Sequence, residues 1–167
     1  MKSLAEILSE CLADARRVAV LGVGSPLHGD DAAGLLAAQR LQERLKTRPP
    51  AAPVQVEVFL GESAPENLTG AIKRFAPTHL VILDAADLDQ PPGAIQIVNP
   101  DAPTANASMS THSLPLGVLA GYLERSVGCR SVIVGIQPAN GRYGAAVSTP
   151  VDQAATQLAQ ALLEAMA

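Results

Sequence analysis

The chain has 167 residues, of which 48% are hydrophobic and only 2% aromatic, and its formal net charge is −4 at pH 7. That length suits a single domain spanning residues 1–167 with a sizeable core, and an aliphatic core suits a buried parallel sheet covered by helices. The acidic balance, with no dense basic stretch, argues against nucleic acid, because phosphate neutralisation needs clustered Lys or Arg; a cationic segment of a partner protein fits better.

Leu4, Ile7, Leu8, Cys11 and Leu12 recur at helical spacing, which predicts an amphipathic helix over 3–15. Arg16 and Arg17 are placed to close its last turn, where the helix dipole favours cations. Glu6, Glu10 and Asp14 interrupt a region that would be unbroken and apolar in a secretory signal. No run approaches the roughly 18 apolar residues of a membrane span, so the chain reads as a soluble, cytoplasmic monomer with no membrane partner. Cys11 and Cys129 form no C-x-x-C pair and read as reduced thiols in or near a core.

Val18 to Val23 is the first predicted strand, and Asp31 to Leu45 the next helix. Between them lies Gly22-Val23-Gly24-Ser25-Pro26-Leu27-His28-Gly29-Asp30-Asp31. A glycine-rich strand-to-helix turn usually cradles phosphate, but two carboxylates open this helix and would attract a cation instead. The dinucleotide fingerprint G-x-G-x-x-G fails at Leu27. The pattern G-x-x-x-x-G-K-[ST] fits Gly24 and Gly29, then fails at Asp30-Asp31, and with it goes the phosphate chemistry. A nucleotide-binding reading is therefore disfavoured. No G-x-S-x-G elbow surrounds Ser25, Ser63 or Ser113, which disfavours a serine hydrolase.

Val54 to Leu60 alternates apolar with polar and reads as a half-exposed strand. Ala64 to Phe75 reads as a helix with Pro65 in its first turn. His79 to Asp84 is a buried strand ending in a carboxylate. Pro91-Pro92-Gly93 leaves too little chain for a crossover helix, so the strand Ala94 to Val98 is expected to be an antiparallel edge strand. A long loop, Asn99 to Thr111, precedes a helix over Ser113 to Glu124, a strand over Ser131 to Ile136 and a closing helix over Val151 to Met166. Strands alternate with helices, so the expected architecture is a three-layer α/β/α sandwich around a twisted, mainly parallel sheet of about five strands.

In open α/β sheets, ligands bind at the carboxyl ends of the strands. Asp31, Asp84 and His112 all fall where such ends belong. Two carboxylates and an imidazole suit a borderline divalent cation. Each also has a purely structural reading: Asp31 as a helix cap, Asp84 as a turn starter with Ala85 to Asp87, and His112 as a first-turn residue behind a Ser110 or Thr111 cap. Asp30, His28 and His79 read by default as structural or solvent-facing residues.

Taken together, Gly22-Val23-Gly24-Ser25 to Asp31, Asp84-Ala85 and His112 before a helix resemble the [NiFe]-hydrogenase maturation endopeptidases. Gly61-Glu62-Ser63-Ala64-Pro65-Glu66-Asn67, Thr111-His112-Ser113-Leu114-Pro115-Leu116 and Gly135-Ile136-Gln137-Pro138 are similar to the branch serving hydrogenase 3 of the formate hydrogenlyase complex. The resemblance implies an aspartic-type endopeptidase that removes a C-terminal extension from the hydrogenase large-subunit precursor once nickel is inserted. It implies that Asp31, Asp84 and His112 contact the nickel, with Asp31 or Asp84 also serving in catalysis. The metal belongs to the substrate, and no cofactor of the protein's own is implied. Leu60-Gly61-Glu62 departs from the Asp-Gly-Gly usual in the family, and Ser25 replaces its usual Asn. The Leu60 departure motivates an alternative, a non-catalytic nickel-checking chaperone for the large subunit.

Overall fold

Strands and helices alternate along nearly the whole chain, as the apolar periodicities require. A computed structural model describes residues 1–51, 53–99 and 115–167. In chain order the elements are α1 (Leu4–Cys11), β1 (Arg17–Val23), a 3₁₀ turn (Gly29–Ala32), α2 (Ala33–Thr47), β2 (Gln55–Glu62), a second 3₁₀ turn (Pro65–Leu68), α3 (Thr69–Phe75), β3 (His79–Ala85), β4 (Ile95–Val98), α4 (Leu116–Val127), β5 (Arg130–Ile136) and α5 (Thr149–Ala165). The five strands form one sheet in the order β2-β1-β3-β5-β4. All neighbours run parallel except β4, which is the antiparallel edge strand expected after Pro91-Pro92-Gly93.

The period of two along each strand sorts its side chains into two cores. Val18 and Val20 join Val81, Leu83, Ala85, Val134 and Ile136 in a core covered by α1, α2 and α5. Ala19, Leu21, Leu80, Ile82 and Ile133 face the other way, against Ile72 of α3 and Leu116, Leu119 and Leu123 of α4. Every residue of β3 is buried, as the central strand of an α/β sandwich should be. Each fully buried Leu or Ile contributes roughly 1.5–3 kcal/mol of transfer free energy. β2, at the opposite edge, alternates exposed and half-buried residues over its first half, as its sequence pattern predicts.

The first helix is shorter than its periodicity suggests. A capping box starts it: Glu6 N–H donates to Ser3 Oγ (3.2 Å) and Ser3 N–H to Glu6 Oε2 (2.6 Å). It stops at Cys11 with Leu12 as its C-cap, and Arg17 is drawn elsewhere, not into a last helical turn. Arg17 Nε donates to Phe75 O (2.7 Å), and its guanidinium lies 4.3 Å from the centre of the Phe75 ring. Arg17 thus begins β1, and Asp14 takes a left-handed φ of 63° in the turn before it. The predicted helices at Asp31 and Ala64 each open with a 3₁₀ turn before the α-helix proper. Pro65 sits in the first turn of the second, as expected. α4 runs on to Val127, where Gly128 ends it with φ 72°. Among the described residues, no helix is long and apolar enough to cross a membrane. Most of the predicted loop 99–111 and the start of the predicted helix at Ser113 lie outside the described residues.

Candidate active site

The glycine loop after β1 is built to bring Asp31 back onto the sheet. The β1–β3 register pairs Gly22 with Leu83. Two residues further on, the loop therefore leaves the sheet at the level of Asp84 and Ala85. Gly24 adopts φ 141°, and a Cβ there would lie 2.0 Å from Asp31 O. Only glycine permits that approach. Ser25 N–H then donates to Asp31 Oδ2 (3.0 Å), and Asp31 N–H donates to His28 O (3.0 Å). Asp31 is inside the 3₁₀ turn and does not cap α2, whose N-cap is Ala32.

Asp84 reaches the same edge from β3. It pairs with Gly135 of β5 and shares the facing of Leu80 and Ile82. The strand continues through Ala85, so Asp84 does not start a turn. Gly34, one turn beyond Asp31, lies directly on this strand end: a Cβ there would be 2.0 Å from Leu83 O and 2.6 Å from Asp84 Cα. That contact locks the start of α2 against Asp84. Asp31 and Asp84 are each only 1% exposed. The two residues thus sit at one sheet edge on two elements. Among the described residues, no three His, Cys, Asp or Glu side chains gather as a metal site. His112, the third member expected from the sequence, lies outside the described residues.

Asp30 is not the capping or solvent-exposed residue its sequence context suggests. It is 0% exposed. Its Oδ2 accepts from Ala139 N–H (2.8 Å), Asn140 N–H (3.0 Å) and Ser148 Oγ (2.7 Å), and its Oδ1 from Ser148 N–H (2.7 Å). Burial alone raises its pKa, but the hydrogen bonds from Ser148, Ala139 and Asn140 outweigh it and hold the carboxyl below its usual value. Asp30 N–H also donates to Asn140 O (2.7 Å). The loop after β5 is thereby stitched to the Asp31 turn and to the start of α5.

Gln137 is a second residue whose role the motif alone does not reveal. Its Oε1 accepts from Leu88 N–H (2.6 Å), and its backbone exchanges hydrogen bonds with Gly93 and Ala94. It fixes the loop that follows Asp84. Leu60 is half-buried against the α1–α2–α5 core, where a carboxylate would be poorly solvated. Glu62 ends β2 exposed, with φ 51°, and its carbonyl accepts from Gly24 N–H (2.8 Å). His79 begins β3, at the amino edge of the sheet and away from this site. Burial, and then nearby Arg130, lower its pKa. Cys11 and Cys129 are unpaired thiols. Burial first, and then Glu10 or Glu124, push both thiols up, with the backbone of Cys129 partly offsetting this for the second.

A family model described as "HycI: Hydrogenase maturation protease" matches residues 36–165. The chain belongs to the hydrogenase maturation protease family. The hydrogenase 3 maturation protease of Escherichia coli K12 is 39% identical over 120 residues, 71% of each chain. A putative hydrogenase maturation protease of Methanocaldococcus jannaschii is 30% identical over 134 residues, 80% of this chain and 79% of its own. The crystal structure of the [NiFe] hydrogenase maturation protease HycI from Thermococcus kodakarensis superposes with a TM-score of 0.81 at 29% identity, covering 96% of this chain and 98% of that one. This hydrogenase maturation protease therefore carries its carboxylate pair on the family's own fold. The matched family segment begins after Asp31 and includes Asp84 and position 112.

Proposed function

We propose that this family member removes the C-terminal extension of a [NiFe]-hydrogenase large-subunit precursor after nickel insertion, acting as a monomeric, aspartic-type, nickel-reading endopeptidase. The supporting observation is the burial of Asp31 and Asp84, each 1% exposed, at one carboxyl edge of the sheet. Buried carboxylates are poorly solvated, and like charges at one sheet edge repel. A divalent ion arriving in the substrate would offset both effects. Asp31, Asp84 and His112 would approach nickel already held by the precursor and so place the scissile bond beside a carboxylate. Asp31 or Asp84 would take a proton from the attacking water, while the substrate's cation stabilises the developing oxyanion.

The test is the intact mass of the precursor, nickel-loaded and nickel-free, after incubation with the protein. A shortened product from the loaded form alone is expected, and Asp31→Asn or Asp84→Asn should abolish it while the variants remain folded. Equal cleavage of both forms would refute nickel reading. Leu60, in place of the family's usual carboxylate, favours one other reading, a chaperone that checks nickel without cutting. That reading predicts a stable complex with the precursor and no loss of mass.

A further inference from the structure

The turn that carries Asp31 closes on itself through a side chain with no place in the reading above. His28 Nδ1 lies 2.8 Å from Ser25 Oγ. Ser25 Oγ also accepts from Leu27 N–H (3.3 Å), and its second lone pair and its proton let it pair with either tautomer of the imidazole. Ser25 N–H holds Asp31 Oδ2 (3.0 Å), and Asp31 N–H returns to His28 O (3.0 Å). The three residues thus form a hydrogen-bonded ring in which every link is a normal length. Two of its links, through Asp31 N–H and Ser25 N–H, are backbone-held. The third runs between the Ser25 and His28 side chains, beside a longer backbone bond from His28 N–H to Ser25 O (3.4 Å).

The ring is supported from outside. The Tyr143 ring meets the His28 imidazole edge-on, with centroids 5.4 Å apart. Gly144 N–H donates to Leu27 O (2.8 Å), so the loop bearing Tyr143 is tied to the loop bearing His28. Ser25 is buried and His28 only half-buried. His28 belongs to neither hydrophobic core. Its polar contact is spent on fixing Ser25, and Ser25 on fixing one oxygen of Asp31.

We infer that His28 is a positioning residue: through Ser25 it sets the orientation of the Asp31 carboxylate, and it touches neither substrate nor metal itself. The inference rests on the assignment of Asp31 to the reaction site. Preorganisation of this kind raises turnover without changing substrate affinity, because it acts on the geometry of the reacting group.

The test compares two substitutions of similar shape. His28→Asn keeps a polar atom where Nδ1 stands, whereas His28→Leu places a methyl there. With nickel-loaded precursor, His28→Leu should lower kcat at least tenfold with KM and Tm unchanged, and His28→Asn should stay within about threefold of the wild type. A second readout needs no cleavage at all: the Ser25 amide proton, shifted downfield by its carboxylate acceptor, should move upfield in His28→Leu and stay in place in His28→Asn. An unmoved Ser25 amide in His28→Leu would overturn the inference, as would equal kcat for His28→Leu and wild type. If Asp31→Asn cleaves normally while the Ser25 amide responds as expected, the site assignment fails and the clasp on Asp31 stands.

Discussion

Asp30→Asn isolates the buried carboxylate that joins the Asp31 turn to the far end of the chain. In the wild type four donors converge on two oxygens. Oδ2 takes three of them, so the asparagine oxygen will occupy that place, and its NH₂ group will face Ser148 N–H. One charge-assisted bond is lost, a donor is left opposing a donor, and the remaining bonds become neutral. Removing a partner from a buried charged group costs about 1.5–3 kcal/mol, and here we expect roughly 2–3 kcal/mol, a Tm decrease of roughly 5–10 °C for a chain of this size. Chemical denaturation of both proteins from pH 2 to pH 8 measures the difference. The folded-state pKa of Asp30 lies below its unfolded value. The native state therefore binds fewer protons, and this contribution is fully present above the unfolded value of about 3.9. It is lost as pH falls through the lower, folded pKa. The gap between wild type and variant should be constant from about pH 5 upward and close only below about pH 4. A gap smaller than about 0.5 kcal/mol at pH 7 would refute the reasoning. So would a gap that persists undiminished at pH 2.

Two further outcomes follow from close approach and from burial. Gly34→Ala must push α2 off Leu83, because the new Cβ would lie 2.0 Å from Leu83 O; we expect a loss of roughly 1–3 kcal/mol by thermal unfolding and a larger relative loss of precursor cleavage, since Asp31 moves away from Asp84. Wild-type stability with wild-type cleavage would contradict the packing described. Burial raises the pKa of both thiols, so iodoacetamide at pH 7.5 should alkylate the native protein far more slowly than free cysteine, with mass spectrometry counting adducts; rapid double labelling of the folded protein would be inconsistent with this.

The sheet and its layers are legible in the sequence because apolar period and turn chemistry are local signals. Val18 to Leu21, the all-apolar run before Asp84, and Pro91-Pro92-Gly93 each carry their own meaning. The placement of Asp31 and Asp84 is legible too, since strand ends in an α/β order point to one edge. What escaped the sequence depends on distant partners. Arg17 looks like a helix-closing cation until Phe75, 58 residues later, supplies a carbonyl and a ring. Asp30 looks like a cap because its acceptors' partners lie 109 to 118 residues downstream. His28 looks like a loop residue because its contact with Ser25 requires the turn to be folded first.

The long reach of Asp30 bears on the order in which the molecule is made. During synthesis, β1 and its glycine turn emerge more than a hundred residues before Ser148 and α5. Contacts that close such long stretches of chain form late. A chain not yet extended through Ser148 therefore lacks two of the four hydrogen bonds that brace the Asp31 turn through Asp30. Bracing of the Asp31 turn is thus tied to the docking of α5, whose N-cap is Ser148.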